Sequence, residues 1–188
     1  VAPHIYRDDE IDDLPAAAGR LGPAGSIRPF TYETLFGLMA STGLRISEAI
    51  HLRDADVDLK RGMLTIRQTK FAKSRQLPIH PSTVKALVRY RKQRELHLPT
   101  TEGMPFLIGS RGRRLGLPLS ERQAHRVFTG LRDGLGWVNR GGHDAPRLHD
   151  LRHTFAVRRL VRWYADGADV DQKMLALSTY MGHAEIFY

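Results

Sequence analysis

Apolar positions recur at helical spacing along most of this 188-residue chain and alternate in one short region. Leu35, Leu38 and Met39 form one stripe and predict a helix over about 32–41, with Thr31 as its cap. Gly43 ends or bends it, and Ile46, Ala49 and Ile50 share a face of a second helix over 45–53. Positions 54–62 are rich in turn formers, with Val57 and Leu59 as packing residues. Met63–Arg67 and Gln76–Ile79 read as two strands joined by a turn over Lys70–Ser74. His80 and Pro81 open a helix that carries Leu87, Val88, Arg91 and Leu98 and runs towards 97, before Pro99. Phe106–Ile108 is a short buried extended piece, and 109–119, with Arg111, Arg113 and Arg114, is a basic loop. Ser120 caps a helix over 121–135, and 139–146 is loop. The strongest pattern runs from Leu148 to about Ala165, through Leu151, Phe155, Leu160 and Trp163, and Gly167 closes it. Asp169 or Asp171 caps a last helix ending near Ser178. Five or six helices with one small antiparallel sheet make an α+β, mainly helical domain.

Residues 1–30 show no sustained period, and Asp12–Gly19 and Gly22–Gly25 read as loop. The expectation is a linker over 1–30 from a preceding N-terminal domain, followed by one domain over 31–188, the chain being a piece of a longer protein.

Composition narrows the class. The length suits one core, and 41% hydrophobic content is ordinary for a globular domain. The chain has no cysteine, which excludes disulfides and thiolate zinc sites. It has neither a long apolar run nor a signal-peptide pattern, so the expected setting is the bacterial cytoplasm. Lys and Arg total 29 against 20 acids, a net charge of +9. Five of those acids and only three bases fall in residues 1–30, which leaves +11 on the rest. Such a balance suits a polyanionic partner and salt-sensitive association.

The candidate chemistry is cationic. His149 and Arg152 lie three apart at a helix start, on one side, where unpaired backbone donors already favour an anion. Arginine can grip two phosphate oxygens and histidine can shuttle a proton. The competing reading pairs Arg152 with Asp150 or a distant acid and leaves His149 as a mere cap. Arg45 follows Thr42-Gly43-Leu44 at another helix start, with Glu48 placed to orient it or to form a purely structural ion pair. Gly182-His183 closes an apolar segment, and Lys70 sits where two strands turn. Histidines 149, 153 and 183 raise a metal question, but an arginine between two of them disfavours a dication, and no carboxylate cluster accompanies them. The reading is therefore no metal and no cofactor.

In this order the motifs resemble the catalytic domain of the tyrosine recombinase/phage integrase family, over about residues 28–186. The resemblance implies catalytic roles for Arg45 from Thr42–Arg45, Lys70 from the β-turn (Lys73 being the other candidate), His149 and Arg152 from His149–Arg152, and His183 from Gly182-His183. It implies strand cleavage and rejoining on double-stranded DNA through a 3′-phosphotyrosyl link, on a tetrameric synapse of its own copies. No membrane and no small-molecule substrate are implied. The family nucleophile stands nine residues after that last histidine, at a position that would be 192. Tyr188 is only five residues after it and is not assigned, and Tyr180 is expected to pack. Two other classes fit the same cations: a DNA-binding regulator without catalysis, and a relaxing enzyme like type IB topoisomerases. A small-phosphate enzyme is disfavoured because the chain has no P-loop. Arg122, Gln123, His125, Arg126 and Arg132 on the helix over 121–135 are candidate DNA contacts.

Overall fold

The computed structural model describes residues 1–67, 74–110 and 112–182. Within them, the chain forms mainly helices and one short sheet, as the apolar pattern predicts. The elements are α1 (Asp8–Ala18), α2 (Arg28–Thr42), α3 (Ile46–Ile50), β1 (Val57–Asp58), β2 (Met63–Arg67), β3 (Ser74–Pro78), α4 (Pro81–Glu95), α5 (Glu121–Leu135), α6 (Asp150–Ala165) and α7 (Val170–Met181). The fold is α+β and mainly helical. No helix among the described residues is long and apolar enough to cross a membrane.

The central helix is α2. Its Tyr32, Leu35, Phe36, Leu38 and Met39 are all buried, and it packs against α1, α4, α6 and α3. It starts at Arg28, four residues before the expected point, because Pro29 presets a helical φ in its first turn. Thr31 therefore does not cap the helix. It is buried inside it, where its hydroxyl lies 3.1 Å from Tyr90 Oη and donates to Ile108 O at 3.3 Å. Gly43 ends the helix at φ +67°, with its N–H on Met39 O. A Cβ there would lie 2.6 Å from the Phe155 ring, so both backbone angle and space call for glycine.

The loop reading of residues 1–30 needs correction. An 11-residue helix, α1, occupies Asp8–Ala18, with Pro15 inside it. Glu10, Leu14 and Ala18 repeat every four residues and form its buried face. One acid and one alanine in that stripe, together with an internal proline, hid it from a hydrophobicity pattern. Tyr6 and Ile27 flank the helix and are buried in the same core.

The sheet is antiparallel in the order β1-β2-β3. Its first strand, with the 3₁₀ turn Asp54–Asp56 before it, comes from the stretch that reads as turn, and Val57 is the residue that packs. In β2 and β3, Leu64 faces Leu77 and Ile66 faces Arg75. Directly paired residues share a face and alternate residues return to it, so Leu64, Ile66, Leu77 and Arg75 all point towards the core. Phe106, Leu107 and Ile108 are buried, but the segment expected to be extended bends at 106 and 107 between single bridges at Pro105 and Ile108. Helix α5 occupies the expected span, with Ala124, Val127 and Phe128 inward and Arg122, Gln123, His125 and Arg126 exposed. A second, smaller apolar cluster of Phe155, Leu177 and Met181 fastens α7 to α6. Tyr180 packs as expected, stacked on Phe155 with ring centroids 5.7 Å apart.

Candidate active site

Three arginines meet where the start of α3, the inner face of β3 and the first turn of α6 approach the carboxyl end of α7. Arg45 stands at the N-cap of α3. Its N–H donates to Glu48 Oε2 at 2.9 Å, and its Nη1 pairs with Glu48 Oε1 at 3.1 Å. Its Nη2 reaches Gly182 O at 3.5 Å. The orienting role expected of Glu48 is thus present, while 37% of the Arg45 side chain stays open to solvent. Burial pushes the Glu48 carboxyl upward, but Arg75, the Arg45 N–H and the two nearby charges outweigh it and hold it below its ordinary range.

Arg152 is almost wholly buried, 3% exposed. Asp150 does not pair with it, because that carboxylate is engaged by Arg147 at 2.8 Å. Arg152 donates instead from Nη1 to Gly43 O at 2.7 Å and from Nη2 to Met181 O at 2.6 Å. The turn glycine that ends α2 and the last residue of α7 therefore fix this side chain. Burial, with the repulsion of Arg45 and Arg75, pulls its pKa down to about 10 against the opposing pull of Glu48. Positive charge is crowded at this point, and an entering phosphate would relieve the repulsion.

His149 occupies the N-cap of α6 in a helical conformation and makes no cap hydrogen bond with its side chain. The cap reading is thereby excluded, and the imidazole is exposed. It meets His153 edge to face, with ring centroids 5.0 Å apart. Partial burial lowers its pKa below 6.5, and His153, Arg152 and Arg147 add to the effect. The shift favours the neutral ring, the form that accepts a proton.

The structure brings Arg45 and Arg152 together on the end of α7 and places His149 one turn before Arg152. Lys70, Lys73, Arg111, His183 and Tyr188 lie outside the described residues. Arg132, a candidate DNA contact, is instead tied to Asp133 and Pro146 O. Beside Arg45 opens a groove of ≈ 790 Å³ lined in part by His51, Arg53, Arg67, Thr65 and Pro118.

Two groups escaped the sequence reading. Arg75 pairs with Glu48 at 2.9 Å and bonds the Tyr180 and Met181 carbonyls. Its signal was an inward register position two residues before Leu77, legible only once the strand is started at Ser74. The other group is the segment before α1. Tyr6 N–H donates to Thr154 Oγ1 at 3.0 Å and Tyr6 Oη to Arg147 O at 2.8 Å. Glu10, buried, takes Arg140 at 3.0 and 2.5 Å. These contacts brace the first turns of α6, which carry His149 and Arg152. No local pattern announces them, since they span more than 100 positions.

The fold is that of the catalytic domain of tyrosine recombinases. The sequence matches the phage integrase family over residues 6–186, and the chain belongs to that family. It is 40% identical over 187 residues to "Putative integrase/recombinase y4rB" of Sinorhizobium fredii, an alignment covering 98% of this chain and 59% of that protein. Its structure resembles that of XerA recombinase with a TM-score of 0.73 at 25% identity, covering 98% of this chain and 56% of that one. It also shares the fold of a lambda integrase tetramer bound to a Holliday junction, with a TM-score of 0.64 at 19% identity, covering 98% and 48%. The chain thus spans between about half and three-fifths of the proteins it matches.

Proposed function

We propose that the protein cleaves and rejoins double-stranded DNA at specific sites through a 3′-phosphotyrosyl intermediate, as a site-specific recombinase or integrase. The observation that carries this reading is the meeting of Arg45 and Arg152 on the end of α7, with His149 at the N-cap of the helix that bears Arg152. A tyrosine Oη attacks the scissile phosphorus, an O–P bond forms, and the bond to the 5′-oxygen breaks. Arg45 and Arg152 offset the charge that builds on the phosphorane oxygens. His149 takes or relays the phenolic proton, and Lys70 returns one to the departing 5′-oxygen. His183 hydrogen-bonds a phosphate oxygen. The nucleophile is a tyrosine nine residues after His183, as in the family. The new phosphodiester conserves the bond energy, so the reaction needs no cofactor.

The partners are duplex DNA and further copies of the protein in a tetrameric synapse, working in the bacterial cytoplasm. The exposed Arg122, Gln123, His125 and Arg126 on α5 support a DNA-facing surface. The shared fold with a lambda integrase tetramer on a Holliday junction supports the assembly.

The test incubates the full-length protein with labelled duplexes taken from the DNA flanking its own coding sequence. A covalent protein–DNA adduct that survives SDS and is lost in Arg45→Ala and Arg152→Ala is the expected result. Supercoil relaxation without exchange between two sites would make it a topoisomerase-like enzyme. Tight binding with no adduct would make it a regulator.

A further inference from the structure

Arg75 shares a partner with each of the two arginines read from the sequence. With Arg45 it shares Glu48 Oε1, at 2.9 Å from Arg75 Nη1 and 3.1 Å from Arg45 Nη1. With Arg152 it shares Met181 O, at 3.4 Å from Arg75 Nη2 and 2.6 Å from Arg152 Nη2. Its Nε donates to Tyr180 O at 3.0 Å. One planar fork thus touches α3 through Glu48 and the carboxyl end of α7 through two carbonyls. That end carries the unpaired carbonyls and negative dipole that cations satisfy. Lysine, a point charge, cannot reproduce such a fork.

The side chain lies inward because of register. Arg75 faces Ile66 on the sheet face that Leu64 and Leu77 bury. Its side chain is 12% exposed, against 37% for Arg45. It is turned to the protein rather than to an incoming backbone phosphate. The end it holds is also met by Arg152 at Met181 O, by Arg45 at Gly182 O and by the Tyr180–Phe155 stack, while among the described elements α7 packs chiefly on α6 and β3, through the small cluster of Phe155, Leu177 and Met181.

We propose that Arg75 is a positioning residue, which locks the end of α7 against Glu48 and so sets Arg45 and Arg152 relative to each other without binding DNA itself. The catalytic consequence rests on the function proposed above, whereas the structural one does not.

Arg75→Ala and Arg75→Lys in the full-length protein test it with two readouts. The first is hydrogen exchange at Met181 and Gly182, expected to quicken at least about tenfold in Arg75→Ala while the amides of α2 are unchanged. The second compares the rate of adduct formation at saturating DNA with the affinity for the same duplex. The rate is expected to fall about 100-fold and affinity to stay within about threefold, with Arg75→Lys recovering part of the rate through Glu48 alone. Affinity that falls as far as the rate would make Arg75 a phosphate ligand and overturn the proposal. Unchanged exchange at the end of α7 would overturn it too. If Arg75→Ala does not fold, the lysine variant decides on the same readouts, with exchange at Met181 and Gly182 no faster than in the unaltered protein counting against the proposal. If the unaltered protein gives no adduct, the proposed function fails, and exchange alone decides the role of Arg75 in the fold.

Discussion

At the scale of single residues, the centre depends on which atoms hold each cation. Arg152 answers two backbone carbonyls at 2.7 and 2.6 Å and is buried, so it is a fixed charge rather than a searching one. Arg152→Ala is expected to lower adduct formation by about 10²–10³-fold or more while the protein still folds, checked by cleavage assay and circular dichroism together. Arg152→Lys should not restore the rate, because an ammonium cannot serve both carbonyls and a phosphate. His149 gives a pH test. Its folded pKa lies below 6.5, lowered by burial and then by His153. As the proposed base, it should keep cleavage on a plateau at neutral pH and lose it with a midpoint below 6.5. Replacing His153 with glutamine should move that midpoint upward. The linkage has the same sign: the unfolded chain takes up this proton first, so the contribution of His149 to stability declines as pH falls through 6.5. A midpoint above 7 would exclude His149 as the group observed.

Among the elements, the turn between α2 and α3 does the most positioning. Gly43 ends α2 in the left-handed region, its carbonyl takes Arg152, and two residues later Arg45 begins α3. Gly43→Ala adds a left-handed penalty of about 1–2 kcal/mol to a contact 2.6 Å from the Phe155 ring. The expected loss is about 2–4 kcal/mol in urea unfolding. Cleavage should fall further than the fraction of folded protein explains, since both arginines hang on this turn. Equal losses in folding and cleavage would argue that the turn only supports the core.

For the molecule as a whole, charge decides association. Residues 31–188 hold 26 bases against 15 acids, and some of those bases are tied to acids, as Arg94 is to Asp54 and Arg67 to Asp56. The exposed arginines of α5 and Arg113 and Arg114 remain available to phosphates. A plot of log binding constant against log salt should fall with a slope near about −5, the release expected of five or six phosphate contacts. Arg122→Ala should flatten it by about one unit. A flat response would remove a phosphate-tracking surface from this protein.

The sequence by itself determined the helices with clean stripes and the β2–β3 pair, and it singled out Arg45, His149 and Arg152 as candidates. Local periodicity and short motifs need no distant partner to be read. It did not reveal α1, whose buried face is a glutamate, a leucine and an alanine, because the inward Glu10 is met by Arg140, 130 positions away, as well as by the nearby His4 and the Arg7 N–H. Nor did it reveal Arg75, whose direction follows from strand register. Whether Arg152 would pair with Asp150 or turn to the site was likewise undecided by spacing. Arg147 settled it by claiming that carboxylate, and the carbonyls of Gly43 and Met181 gave the freed guanidinium its place. Tertiary structure decided these matters because a buried charge goes where its hydrogen bonds are satisfied, and only the folded chain brings those partners within reach.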